Sequence, residues 1–253
     1  MIQNEDDFKK SLYVVWQAGR TDSHIYLSIE KILNSINYKN ELAIYSLGLI
    51  RKIDFYKFYK WKEIEIIEGR LDHLIDLEGI SIRFFDIYDY NYLIDSIINL
   101  FFSSLVTEID LICKILGQLI KFPSKYKKNP YLKEIKEHLL QNFFDHELTK
   151  LFKTEYSRNP KSWLCSMKDI RNNLHHGSGE ISEIILEPEL SILSPYDGPF
   201  YFNEKYFEEF VQDEDREVIK FCGKISQKTE WFLSEILEIL SKDLNSINTV
   251  PLF

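Results

Sequence analysis

Glycine, proline and cysteine are all scarce in this sequence, and each shortage excludes a class of protein. With 9 Gly and 7 Pro in 253 residues, the chain has little room for the many tight turns of an all-β fold. Three cysteines, Cys113, Cys165 and Cys222, lie far apart and lack metal-ligand spacing. Their odd number also argues against a disulfide framework. These shortages predict a mainly α protein of the reducing cytoplasm.

Signals for secretion, membrane insertion and nucleotide hydrolysis are lacking too. Residues 1–10 are acidic and polar, unlike a signal peptide. The longest apolar stretch, residues 92–120, is expected not to span a membrane because it contains Asp95, Glu108, Asp110 and Lys114. There is no Gly-rich phosphate loop, nucleophile-elbow serine or zinc pattern. The net charge of −9 weighs against a protein that coats nucleic acid non-specifically, but it is compatible with a local basic cleft.

Residues 159–177 form the most informative stretch. Asn159 can cap a helix that has Pro160 at its first position, and Gly177 can end that helix. The buried face is predicted from apolar residues at helical spacing: Leu164, Met167, Ile170 and Leu174. Arg171 lies along this face, where a guanidinium needs a carboxylate, a polar cavity or a ligand. Two titratable histidines follow at the helix end, where the last carbonyls favour their protonated form.

This helix carries a family resemblance. Arg171, Asn172, Asn173, Leu174, His175 and His176 follow one another and resemble the R-x4-6-H signature of the HEPN superfamily, helical bundles that include many metal-independent ribonucleases. The Arg of that pattern is usually followed by a polar residue, which Asn172 matches. His176 has the required spacing from Arg171, and His175 is one residue short of it. The resemblance covers roughly residues 90–245.

What the resemblance implies is an endoribonuclease with Arg171 and His176 as catalytic residues and Asn172 and His175 in support. Such an enzyme needs no metal and no cofactor, and it leaves a 2′,3′-cyclic phosphate. Catalytic relatives place two motifs face to face, so a homodimer is also implied. The setting would be toxin–antitoxin or antiphage defence, with an antitoxin or another partner protein. The alternative is a non-catalytic HEPN-like module that binds a nucleotide, RNA or a protein.

A structural interpretation of the same residues stays open. Arg171 would then pair with a carboxylate inside the bundle and the histidines would cap their helix. Asp110 is the favoured partner because small residues on the same helix let a neighbour approach, and Glu108 is the competing candidate. Weaker signals for RNA contact come from the basic, aromatic-rich residues 121–136, and the lysines concerned are Lys121, Lys125, Lys127 and Lys128.

The rest of the pattern predicts the architecture. Long helices are expected over residues 92–120 and from about residues 213–215 to 244, with a shorter one over 131–144. Residues 180–186 and 199–202 suggest a small β-hairpin or an extended loop. Before residue 90, segments 64–66 and 80–84 alternate and suggest a β-pair, while 71–77 looks helical. The prediction is a HEPN-like domain over residues 91–253 and a mixed N-terminal extension over 1–90, or one continuous domain.

Overall fold

The computed structural model describes residues 4–18, 22–52, 73–77, 80–84, 87–120, 130–176, 186–188, 200–202 and 217–245. Seven helices run through these segments, so the prediction of a mainly α protein is confirmed. In chain order the helices are α1 Glu5–Gln17, α2 Ser23–Lys52, α3 Ile87–Leu119, α4 Leu132–Asn142, α5 Glu147–Glu155, α6 Trp163–His176 and α7 Val218–Asn245.

Within the described residues, two short antiparallel strand pairs accompany the helices. Strand β1, His73–Leu77, pairs with β2, Ile80–Phe84, so that Leu77 lies opposite Ile80. The prediction of a helix over 71–77 is therefore wrong, and the predicted partner, 64–66, lies outside the described residues. Only residues 78 and 79 separate β1 from β2, and closing so short a connection costs little chain entropy.

The second strand pair contributes a buried aromatic side chain to the core. Strand β3, Leu186–Pro188, pairs antiparallel with β4, Phe200–Phe202. Phe202 is completely buried, and its ring lies 5.7 Å from that of Phe102 and 5.4 Å from that of Phe221, centroid to centroid. Apart from these two strands, the segments in which the sequence suggests a hairpin lie outside the described residues.

The chain divides into two compact units. The first combines Met1–Leu42, Ser104–Cys165 and Ser226–Phe253, and the second combines Ala43–Ser103 and Ser166–Ile225. The predicted boundary at residue 90 falls inside α3, and each unit contains segments from both sides of it.

In the first unit, small polar side chains join α1 to α7. Ser11 and Ser241 share a hydrogen bond of 2.7 Å between their Oγ atoms, and Asn245 Nδ2 donates to Ser11 Oγ at 2.9 Å. Immediately before α1, Asn4 Nδ2 donates to Ser234 Oγ at 3.0 Å. Since each of these buried or half-buried polar groups has a partner, close packing of the two helices leaves little desolvation cost there.

Helix α3 is the longest of the described helices and begins five residues earlier than the sequence predicts, at Ile87. Apolar residues recur along it at helical spacing, and those whose side chains are described are buried: Ile98, Phe101, Leu105, Ile109, Ile112, Leu116 and Leu119. The stretch Ser96–Leu119 is long and apolar enough to cross a bilayer by length and composition, and 61% of its most apolar part is buried inside the protein. A core helix of a soluble protein has the same properties, so the expectation of no membrane contact stays a prediction.

Gly117 brings α3 against the segment that precedes α4. A Cβ atom at position 117 would lie 2.6 Å from Cγ of Pro130, whereas a Cβ atom at Gly48 in α2 would meet nothing within 4 Å. Both glycines lie in helix interiors, where alanine is preferred by roughly 1 kcal/mol. Substitution by alanine therefore brings the same gain in helix propensity at both sites, with a steric clash at position 117 and without one at position 48.

We expect the two Gly→Ala variants to change stability in opposite directions. Gly117→Ala should lower the free energy of unfolding by about 1–2 kcal/mol, because overpacking against a rigid proline ring outweighs the gain in helix propensity. Gly48→Ala should raise it by about 0.5–1 kcal/mol. Urea unfolding of both variants checks this, and a stabilised Gly117→Ala would show that Pro130 does not constrain α3.

Candidate functional site

Helix α6 carries the Arg171 motif and begins later than the sequence predicts. It starts at Trp163 rather than at Pro160, so the assignment of Asn159 as its cap is wrong. Residues 157–162 instead form a hydrogen-bonded turn, in which Ser162 N donates to the carbonyl of Ser157 at 2.9 Å. Ser162 Oγ then accepts from Cys165 N at 3.4 Å, which is the geometry of an N-cap serine. The predicted helix end at Gly177 lies outside the described residues.

The predicted buried face of α6 is confirmed. Leu164, Met167, Ile170 and Leu174 are all buried, at 0–4% exposure. Arg171 lies beside this face and is half-buried, while Asn172 and Asn173 are exposed. The side chain of Arg171 is therefore only partly exposed to water.

The guanidinium of Arg171 contacts a polar neighbour on its own helix through Nη1, and its Nε is the second donor to consider. Its Nη1 donates to Oδ1 of Asn172 at 3.0 Å. Its Nε is buried and has no hydrogen-bond acceptor among the residues that the structure describes. A buried donor without an acceptor costs about 1–3 kcal/mol. A ligand oxygen that accepted this hydrogen bond would remove that cost, and a phosphate matches the planar fork of a guanidinium.

The side-chain amides of Asn172 and Asn173 differ in whether they can contact a ligand. Asn173 Nδ2 donates to the carbonyl of Asp169 at 2.9 Å, so its side chain is turned back on its own helix. Asn172 uses its Oδ1 to accept from Arg171, which leaves its amide NH2 exposed beside the guanidinium. Of the two amides, Asn172 is therefore the one that can support an oxyanion held by Arg171.

His175 and His176 are the last two residues of α6. Their side chains lie outside the part of the chain that the structure describes. Both backbone positions belong to the last helical turn, where the carbonyl ends of the helix dipole favour a positive charge. On a helix, His176 follows Asn172 by four positions and His175 follows Arg171 by four, so each histidine shares a face with one of these residues.

The two carboxylates proposed as partners of Arg171 differ in their environment. Glu108 is almost completely buried at 1% exposure, and its Oε1 has no hydrogen-bond partner within the described segments. Burial, with a smaller contribution from Glu230, raises the pKa of Glu108 from its usual 4.5 to about 8. Glu108 is therefore uncharged at neutral pH and is a poor counter-ion for any cation. Asp110 is half-buried.

Asp110 and Glu108 belong to the first unit and Arg171 to the second, so a pairing with Arg171 stays a prediction. The four lysines proposed for RNA contact, Lys121, Lys125, Lys127 and Lys128, lie outside the described residues. Within the described residues there is no group of three or more His, Cys, Asp or Glu side chains that could hold a metal ion.

A second group of cations was not predicted from the sequence. Lys133 and Lys136 of α4 and Arg158 of the turn before α6 line one cleft, together with Glu137, Leu140 and Tyr156. The signal on α4 is the spacing of residues 133, 136, 137 and 140, which places them on one helix face. No local sequence pattern predicts that this helix face meets Arg158, because their proximity depends on how the chain folds back.

No protein-family model, no curated protein and no solved structure matches this chain.

Proposed function

We propose that the protein is a metal-independent endoribonuclease of the HEPN type, acting in the cytoplasm in a toxin or antiphage setting. The observation that carries this proposal is the half-buried Arg171, whose Nε has no acceptor among the described residues and which lies beside the exposed amide of Asn172. Two histidines follow at the end of the same helix. A guanidinium suits phosphate binding, and imidazoles on the same helix suit proton transfer.

The chemistry assigned to these residues is transesterification within the RNA strand. The ribose 2′-oxygen loses its proton and attacks the adjacent phosphorus, and the bond from phosphorus to the 5′-oxygen breaks. The products are a 2′,3′-cyclic phosphate and a 5′-hydroxyl. His176 transfers the protons because the pKa of an imidazole lies near neutrality. Arg171 stabilises the extra negative charge on the phosphorane, and Asn172 orients the phosphate or the imidazole.

Cleavage without metal is the test of this proposal. The purified protein should cut single-stranded RNA in the presence of EDTA, because none of the groups invoked is a metal-ligand set. Mass spectrometry of the fragments should find 2′,3′-cyclic phosphate ends. A requirement for magnesium, or 3′-hydroxyl ends, would contradict the mechanism. If no RNA is cut but RNA binding is lost in Arg171→Ala, the alternative of a non-catalytic binding module is the better interpretation.

Assembly is a separate expectation of the same proposal. A composite site made of two facing motifs needs a homodimer with two-fold symmetry. Solution scattering should then report about twice the chain mass of 30.2 kDa. A monomer at high micromolar concentration would exclude a composite site, and each chain would have to work alone.

A further inference from the structure

The first unit contains a cleft that the Arg171 motif does not use. It encloses about 450 Å³ and is lined by Lys133, Lys136, Glu137, Leu140, Tyr156 and Arg158. Three of these side chains are positive and one is negative, in a chain whose net charge is −9. Its volume lies within the range of about 300–1,000 Å³ that is usual for small-molecule sites. We propose that this cleft binds a nucleotide unit, either free or within a single RNA strand.

Lys136 is the cation that the fold holds most firmly in the cleft. Its Nζ donates to the backbone carbonyl of Tyr156 and lies 5.5 Å from the centre of the Tyr156 ring. An ammonium group has three donors, so two of them remain for a ligand. The contact joins α4 to the turn that follows α5 and places a half-buried positive charge beside an aromatic ring.

Lys133 and Arg158 supply the exposed positive charges. The side chain of Lys133 is 75% exposed, and its Nζ lies 3.8 Å from a carboxylate oxygen of the exposed Glu137. At that distance and exposure the ion pair is weak, so Lys133 can exchange Glu137 for a phosphate. Arg158 is exposed and offers a planar fork that can contact two phosphate oxygens at once.

The turn that carries Arg158 is tied together by hydrogen bonds. Ser157 Oγ donates to the carbonyl of Asn159 at 3.1 Å, and Ser157 N donates to Ser162 Oγ at 3.2 Å. Arg158 and Lys161 form an antiparallel backbone bridge across the turn. A cation on a preformed backbone loses less conformational entropy on binding than one on an open loop.

The composition of the cleft favours a ligand with both a phosphate and a flat apolar part. Lys133, Lys136 and Arg158 suit the phosphate, while Tyr156 and Leu140 offer the surfaces on which a base can lie. A plain inorganic anion would use only the first group. This binding site is separate from the chemistry proposed for Arg171 and depends on that function only in taking RNA as one source of the nucleotide.

Binding can be measured without cleavage by using a probe that the enzyme cannot cut. A fluorescein-labelled 2′-O-methyl 12-mer lacks the attacking hydroxyl, and AMP serves as the free nucleotide. The test variant is Lys133→Glu/Arg158→Glu in the full chain. Its matched control is Lys10→Glu/Lys242→Glu, which changes the net charge equally at two lysines of the same unit with side-chain exposures of 76% and 63%.

We expect the test variant to weaken binding of the 12-mer by about tenfold or more at 100 mM salt, and the control by less than about threefold. Glu137→Gln should tighten binding, because it removes the carboxylate that competes for Lys133. Competition by AMP would identify the free nucleotide as a ligand, and binding of the 12-mer alone would identify the strand. Thermal unfolding of each variant confirms that it is folded.

Equal losses in the test and control variants would overturn the proposal, since the effect would then come from overall charge. The proposal would also be overturned if neither the 12-mer nor AMP bound to the wild type. Cleavage of unmodified RNA is measured in parallel. Cleavage without binding in the cleft rejects only the cleft, and binding without cleavage rejects only the proposed enzyme.

Discussion

Replacing His176 by alanine is expected to abolish RNA cleavage and leave the fold intact. General acid–base catalysis by a positioned histidine contributes about 10²–10⁴-fold to a rate, so the loss should be of that order. His176 is the last residue of α6, and a residue at a helix end supports little packing. Single-turnover cleavage of a labelled RNA measures the rate, and far-UV circular dichroism measures the helix content.

The neighbouring positions serve as controls for this prediction. His175→Ala should lose less activity, because its spacing from Arg171 is one residue shorter than the HEPN pattern. Arg171→Lys should lose RNA cleavage, because an ammonium cannot reproduce the two parallel contacts of a guanidinium to a phosphate. Cleavage that persists in a His175→Ala/His176→Ala double variant would overturn the assignment of the proton-transfer role. Unchanged activity in Arg171→Lys would remove the role of the guanidinium fork.

Replacing Glu108 by glutamine is expected to stabilise the protein at alkaline pH and to have little effect near pH 4–5. The pKa of Glu108 is raised from 4.5 to about 8, first by burial and then by Glu230. Between these two values the unfolded chain loses the proton and the folded chain keeps it. The stability that the neutral carboxyl contributes is therefore present below pH 4.5 and is lost as the pH rises through 8. The loss amounts to a few kcal/mol, at 1.36 kcal/mol per unit of pKa.

Thermal unfolding at pH 5 and at pH 8.5 measures this effect. The Tm of Glu108→Gln should rise relative to that of the wild type as the pH increases, because glutamine cannot ionise. Glu230→Gln is the matched control. It removes only the smaller repulsion by an exposed carboxylate and should act in the same direction with a smaller amplitude. A difference that stays constant with pH would show that Glu108 does not titrate abnormally.

The helical part of the fold could be predicted from periodicity, because the spacing of apolar residues along a helix is a local signal. The apolar stripe of α6 and most of that of α3 were read from spacings of three and four residues, and the described members of both are buried. Helix starts were harder to predict. The start of α6 has two competing signals, which are the pair Asn159–Pro160 and the residue Ser162. The hydrogen bonds between Ser157 and Ser162 favour the start at Ser162.

The sequence by itself determined which residues of α6 face inwards, and it showed that Arg171 lies unusually close to that face. Only the tertiary structure decided the chemical state of Glu108, because its pKa depends on the packing that excludes water from it. The same is true of the cleft at Lys136, where residues about twenty positions apart meet because the chain turns back between α4 and α5. Periodicity reports on neighbours along one helix, whereas burial and charge clustering depend on contacts between elements distant in the chain.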